Sequence, residues 1–314
     1  MKHFIKENDF SKHEILEIFD RASRLKENRQ QGLASDLAGQ TWGLLFYKNS
    51  TRTRVSFEVG INELGAKALV LDQKNTQIGR GESIHDTAKV LSRYLHGLVI
   101  RTFGHEIIQE FASHSNIPVI NALTDLLHPC QVYADCFSIA EKLGESRNPF
   151  ASLAGKKLAF LGDTSCNMAN SWIMAGKLFG MKVFLAGPKD FAPTPELHDL
   201  LQKEGIDCDF HFTSDPIEAV MDADIIYTDV WVSMGSEKEK ESRIECMQPF
   251  TVTSELLSRA KPEVLFMHCM PTHPGMEVSQ AVLDSSQAII FDQAENRLHV
   301  QKAILAKLAS DSST

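Results

Sequence analysis

Short apolar runs alternate with segments of helical periodicity along the whole chain, and that alternation restricts what it can fold into. Runs at 41–46, 66–71, 97–101 and 118–121 read as buried strands. Between them, 55–64, 83–96 and 107–113 carry apolar residues at helical spacing. The rhythm returns with strands at 157–162, 182–186, 225–228 and 264–268, and helices at 168–179, 195–204 and 301–309. A helix at 11–29 comes first, with Ile15, Ile18, Phe19 and Ala22 on one face and a capping-box pattern at Ser11 and Glu14. Such alternation implies parallel sheets covered on both faces. The polar stretch Glu145-Ser146-Arg147-Asn148-Pro149 divides the chain, and a helix at 132–143 leads into it. The expected class is α/β: two lobes, each a mostly parallel sheet flanked by helices, with the active site in the cleft between them.

Length and charge narrow the function. A chain of 314 residues is comfortable for two domains. Its net charge of −9 argues against a nucleic-acid partner, which needs a basic face. In so acidic a chain, clustered arginines mark a place built for an anion. No apolar run reaches the length of a membrane span, and the start MKHFIKENDF reads as neither a secretory signal nor a transit peptide, so a cytoplasmic protein is expected. The six cysteines form no CxxC pair and no zinc-finger spacing with histidine, so free thiols are expected and no metal.

Candidates for chemistry follow the strands. Ser50-Thr51-Arg52-Thr53-Arg54 lies between a strand and a helix, where free backbone N–H groups, hydroxyls and arginines suit a phosphate. A capped helix with solvated arginines is the plain alternative. Arg101 ends the third strand, and His128-Pro129-Cys130-Gln131 follows the fourth. In the second half, the segment from Asp163 to Asn167 follows a strand, as does Asp229-Val230-Trp231-Val232-Ser233-Met234-Gly235. His268-Cys269-Met270-Pro271 ends another strand. Adjacent strand residues face opposite sides, so His268 is not expected to activate Cys269. Ala294-Glu295-Asn296-Arg297 is expected just before the last helix. The Leu161-Gly162-Asp163 turn lacks the glycine-rich dinucleotide fingerprint.

Taken in order, STRTR, TQIG, HPCQ, DVWVSMG, HCMP and AENR resemble the carbamoyltransferases over nearly the whole length, and DVWVSMG resembles their ornithine-specific branch. The resemblance implies a carbamoyl-phosphate domain at 1–134, completed by a C-terminal helix at 298–314, and an ornithine domain at 135–297. Ser50, Thr51, Arg52, Thr53, Gln77, Arg101, His128, Gln131 and Arg297 would bind carbamoyl phosphate, with Gln77 reaching a neighbouring subunit's site. Asn167, Asp229, Ser233, Met234, Cys269 and Met270 would bind L-ornithine. Arg101, His128, Cys269 and Asp229 would be catalytic. Direct attack in an ordered ternary complex would give citrulline and phosphate, without cofactor or metal, in a homotrimer with shared active sites. The stretch Thr272-His273-Pro274-Gly275-Met276 departs from the family pattern, as does Met270. Acceptors such as putrescine or an N-acylated ornithine therefore stay open.

Overall fold

The computed structural model describes residues 1–31, 34–72, 77, 81–207, 209–232 and 240–312. They fall into two compact units, Met1–Pro149 with Glu295–Thr314, and Phe150–Ala294.

In the first unit, the helix Lys12–Glu27 (α1) opens with the expected capping box between Ser11 and Glu14. Then follow Thr41–Phe46 (β1), Thr51–Glu63 (α2), Lys67–Asp72 (β2), Ile84–Tyr94 (α3), Gly97–Arg101 (β3), His105–His114 (α4), Val119–Leu123 (β4) and Pro129–Leu143 (α5). The four strands are parallel in the order β2-β1-β3-β4. From β1 the chain goes outward to β2 and then crosses back to β3, so the strand order reverses between β1 and β3. Such a reversal opens a crevice at the carboxyl ends of the strands. Phe46 pairs there with Arg101, which brings the residues after β1 beside the end of β3. One apolar cluster gathers Leu45, Leu98, Ile100, Ile108, Phe111 and Val119. Phe4, Phe10, Phe19, Tyr133 and Phe137 pack as an aromatic group with centroids 4.8 to 6.4 Å apart.

The helix Pro149–Leu153 (α6) comes next. The second unit contains Lys157–Leu161 (β5), Asn167–Phe179 (α7), Lys182–Ala186 (β6), Pro195–Lys203 (α8), Phe210–Thr213 (β7), Pro216–Val220 (α9) and Ile225–Thr228 (β8). It continues with Lys240–Met247 (α10), Ser254–Leu257 (α11), Leu265–His268 (β9) and Gln280–Leu283 (α12). Its five parallel strands run β7-β6-β5-β8-β9, so the reversal lies between β5 and β8. Leu161 pairs with Thr228 and Thr228 with His268, which aligns the ends of β5, β8 and β9. Ile226, Val252, Phe266, Val278 and Val282 belong to one core cluster. Phe160 stacks on Tyr227, which Trp172 meets edge to face, in another group.

The structure departs from the sequence reading at several boundaries. Helix α2 begins at Thr51 rather than 55, capped by the Ser50 side chain, and α5 at Pro129 rather than 132, with proline in its first turn. The last helix, Ile290–Ser312 (α13), starts well before 301, so Arg297 sits inside it rather than ahead of it. Its early turns hide from pattern reading because Gln293, Asn296, Arg297 and His299 are buried while polar. The expected division at 134 falls within α5, whereas the units meet at Pro149 and Phe150 and again at Ala294 and Glu295. Strand β7 and helices α6, α9, α10, α11 and α12 were not expected; apart from α10 they are at most five residues long, too short to show a period.

Gly162, just after β5, has φ +108°, and a Cβ there would meet the Trp231 Nε1 at 2.8 Å. Both the backbone angle and the close approach require glycine. We expect Gly162→Ala to cost about 2–4 kcal/mol in urea unfolding; a loss under about 0.5 kcal/mol would contradict this account.

Candidate active site

In the first unit the polar residues gather at the carboxyl edge of β1, β3 and β4. Ser50 caps α2, its hydroxyl accepting from the Thr53 N–H at 3.3 Å. The STRTR motif is thus the cap and first turn of a helix, whose N–H groups and dipole favour an anion. Thr51 and Arg52 are exposed on that turn, while Thr53 is buried at 2% exposure. The Thr53 hydroxyl accepts from Arg297 Nη2 at 3.2 Å and from Arg101 Nη1 at a longer 3.5 Å. Arg297 also donates through Nη1 to Gln131 Oε1. With its amide turned to present oxygen, Gln301 accepts from Arg297 Nε at 3.0 Å and Nη2 at 2.9 Å.

These contacts bring Ser50, Thr53, Arg101, Gln131 and Arg297 together, with His128 beside them at the cap of α5. His128 is buried, and burial first, then the Arg297 and Arg101 cations, hold its pKa well below the usual histidine value. The ring is therefore neutral at neutral pH, so one of its nitrogens keeps a proton to donate without adding a charge. Gln77 is exposed, and its carbonyl accepts from the Glu82 N–H at 3.1 Å; the rest of the TQIG motif lies outside the described residues.

The second unit has its own polar edge. Asp229 follows β8, and the Cys269 thiol donates to its carboxylate at 3.1 Å. Burial raises the Asp229 pKa, opposed by the neighbouring His268 and the hydrogen bonds from Cys269 and the Val230 N–H. The donor atoms of Asp229, His268 and Cys269 lie within 4.8 Å of one another. The expected opposition of His268 and Cys269 is thus corrected. Strand β9 ends at His268, and strict alternation ends with it. His268 accepts from the Met270 N–H at 2.8 Å and sits 3.4 Å from the buried Glu277 carboxylate. Met270 has φ +62°, a turn that directs the chain away from the strand.

Asn167 begins α7 and is half-buried. Before it, Asp163 accepts from Ser165 and, at 2.9 Å, from Arg243 Nη1, which also reaches the Trp231 carbonyl at 3.3 Å. Ser233 and Met234 lie outside the described residues. Sequence reading passed over Asp135, Gln301, Arg243 and Glu277. Of these, only Asp135 carried a local signal, four residues after Gln131 on one helix face.

Two doubly wound α/β units, each with polar residues converging where its strand order reverses, define a small-molecule enzyme. Comparison with known proteins narrows the class. Residues 2–141 match the family model described as aspartate/ornithine carbamoyltransferase, carbamoyl-P binding domain, and residues 154–308 match its Asp/Orn binding domain. The chain belongs to the aspartate/ornithine carbamoyltransferase family. It is 49% identical over 289 residues to the ornithine carbamoyltransferase of Syntrophus aciditrophicus, covering 92% of this chain and 93% of that one. It is 44% identical to that of Methanoculleus marisnigri over 308 residues, 98% of this chain and 96% of the relative. The ornithine carbamoyltransferase structure from Pyrococcus furiosus superposes with a TM-score of 0.88 at 40% identity, covering 97% and 96% of the two chains.

The buried neutral histidine has a consequence for stability. Its native pKa lies below the usual 6.5. Between those values the unfolded chain binds a proton that the native site refuses, so stability falls as pH drops below 6.5. Urea unfolding at pH 7.5 and 5.5 should show a smaller acid loss for His128→Gln than for the wild type. Equal losses would mean that His128 protonates freely in the fold.

Proposed function

We propose that this chain transfers the carbamoyl group of carbamoyl phosphate to the side-chain amine of L-ornithine, giving citrulline and phosphate. The observation that carries the reading is the Thr53 hydroxyl. It accepts from both Arg297 and Arg101, so its two lone pairs are engaged and its own proton is left for a ligand oxygen. A buried donor flanked by two guanidiniums and a neutral imidazole suits a carbonyl oxygen that gains negative charge during attack.

In this reading the phosphate rests on Ser50, Thr51, Arg52, Thr53 and Arg297 at the start of α2. Thr53, Arg101 and His128 donate to the carbonyl oxygen, and Gln131 accepts from the carbamoyl amine. Ornithine binds second, its backbone groups held by Asn167, Asp229, Ser233 and Met234. Its side-chain amine lies near Asp229, Cys269 and Met270. With an amine pKa near 10, only about 0.1% is neutral at pH 7, so the ammonium must shed a proton before its lone pair can attack. The new C–N bond gives a tetrahedral intermediate, the C–O bond to phosphate breaks, and the amine's second proton leaves with the phosphate. Alignment of two substrates and stabilisation of the oxyanion supply the acceleration, and no cofactor enters.

A homotrimer with shared active sites fits this chain's surface. Val55 on α2, Leu69 on β2 and Val90 on α3 are 52%, 45% and 42% exposed, apolar positions that a second copy would cover. Gln77, between β2 and α3, is the residue a neighbour would receive. The five described cysteines are free thiols, in keeping with work in the cytoplasm, in arginine metabolism. No described helix is long and apolar enough to cross a membrane.

Citrulline formation with ornithine, putrescine, N-acetylornithine and aspartate as acceptors tests the reaction. Turnover with ornithine alone is expected; preference for another amine would move the assignment to a sister transferase, and no turnover at all would overturn it. Arg52→Ala should weaken carbamoyl phosphate at least tenfold in calorimetry, the scale of a lost charge-assisted bond at about 1.5–3 kcal/mol. Asp229→Ala should instead weaken the amino acid. An exchange of these two effects would reverse the assignment of the units.

A further inference from the structure

Asp135 has no role in the chemistry above, yet it is fully buried one helical turn beyond Gln131. Gln131 is itself only 1% exposed. Its amide is gripped at both ends: Nε2 donates to Asp135 Oδ1 at 2.7 Å, and Oε1 accepts from Arg297 Nη1. A carboxylate only accepts and a guanidinium only donates. Rotating the amide by half a turn would set oxygen against carboxylate and NH2 against guanidinium, replacing two charge-assisted hydrogen bonds with two repulsions. The amide therefore has one direction, with its oxygen on the side of Arg297 and the Thr53 hydroxyl that Arg297 also holds. That oxygen has a second lone pair beyond the one given to Arg297.

We infer that Asp135 is a positioning residue that sets specificity: it fixes the Gln131 oxygen towards the anion site, which thereby prefers an acyl phosphate carrying an N–H donor over one carrying a methyl group. The inference rests on the carbamoyl phosphate reading of that site. Arg297 alone would not suffice, because a glutamine held at one end could swing its oxygen away. Asp135 closes off that freedom from the opposite side, through a contact that is shielded from water.

Calorimetry with carbamoyl phosphate, acetyl phosphate and inorganic phosphate separates this role from a merely structural one. Acetyl phosphate differs from the substrate by a methyl in place of the amine, and inorganic phosphate reports the anion site alone. For Asp135→Ala we expect carbamoyl phosphate to bind about tenfold more weakly, one hydrogen bond's worth, with inorganic phosphate within about twofold of wild type. Asp135→Asn, which keeps a neutral acceptor of the same shape, should restore most of the preference for carbamoyl over acetyl phosphate. If the alanine variant does not fold, Asp135→Ser, whose hydroxyl is too short to reach the amide, takes its place. Equal weakening of all three ligands, or an unchanged carbamoyl-to-acetyl ratio, would overturn the inference. Loss of the preference in the asparagine variant would do the same. A wild-type protein that binds phosphate but does not distinguish the two acyl phosphates would instead overturn the reading of the site itself.

Discussion

The first unit depends on one buried cation. Arg297 is 5% exposed, and a guanidinium taken from water costs several kcal/mol unless its donors are met. They are met by side chains from three helices: Thr53 on α2, Gln131 on α5 and Gln301 on α13 itself. The need to satisfy that fork fixes the register of α13 against its neighbours. Other polar residues buried along that helix have partners of their own: Gln293 donates to the Tyr227 hydroxyl and Asn296 to the Ser138 hydroxyl. Arg297 also contributes to the electrostatics of the site, where His128, kept neutral first by burial and then by two guanidiniums, sits in a chain whose net charge is −9. Positive charge is thereby concentrated where an anion can use it.

The second unit follows a different rule. Its polar edge is organised around carboxylates rather than guanidiniums, with Asp229 bonded to a thiol, Asp163 to Arg243 and Glu277 set beneath His268 and His273. Trp231 packs against the bare backbone of Gly162, so its indole lies closer to the chain after β5 than a side chain there would allow. An acidic, thiol-bearing edge suits a cationic amine as well as the arginine-lined edge suits a phosphate. The same strand-order reversal serves both, which is why one fold pattern used twice can handle two unlike substrates.

The strands were legible in the sequence because buried parallel strands are continuous apolar runs bounded by polar turns. The runs at 41–46, 97–101, 182–186 and 225–228 coincide with β1, β3, β6 and β8. Positions after strands were legible for the same reason, which is how Thr53, Arg101, His128, Asp229 and Cys269 stood out. What stayed hidden was whatever depends on partners distant in the chain. The early turns of α13 look like a polar loop until Arg297 is seen to meet Gln131 and Thr53, and Asn296 to meet Ser138. Asp135 is the exception, since its partner Gln131 lies only four residues back on the same helix face. The nearness of His268 to Cys269 was misjudged because alternation was carried one residue past the end of β9. Roles tied to DVWVSMG rested on resemblance, since its last residues carry no periodicity to read.

The first unit takes its residues from both ends of the chain, and the bond between Arg297 and Thr53 closes a separation of 244 residues. A ribosome delivers these partners in a fixed order. The whole of the second unit has been synthesised before the helix that finishes the first one emerges. Until then, α2 and α5 present Thr53 and Gln131 to an unfilled place, and the long loop must close before the anion site exists. A growing chain therefore lacks its anion site until the helix that carries Arg297 has followed the whole of the second unit.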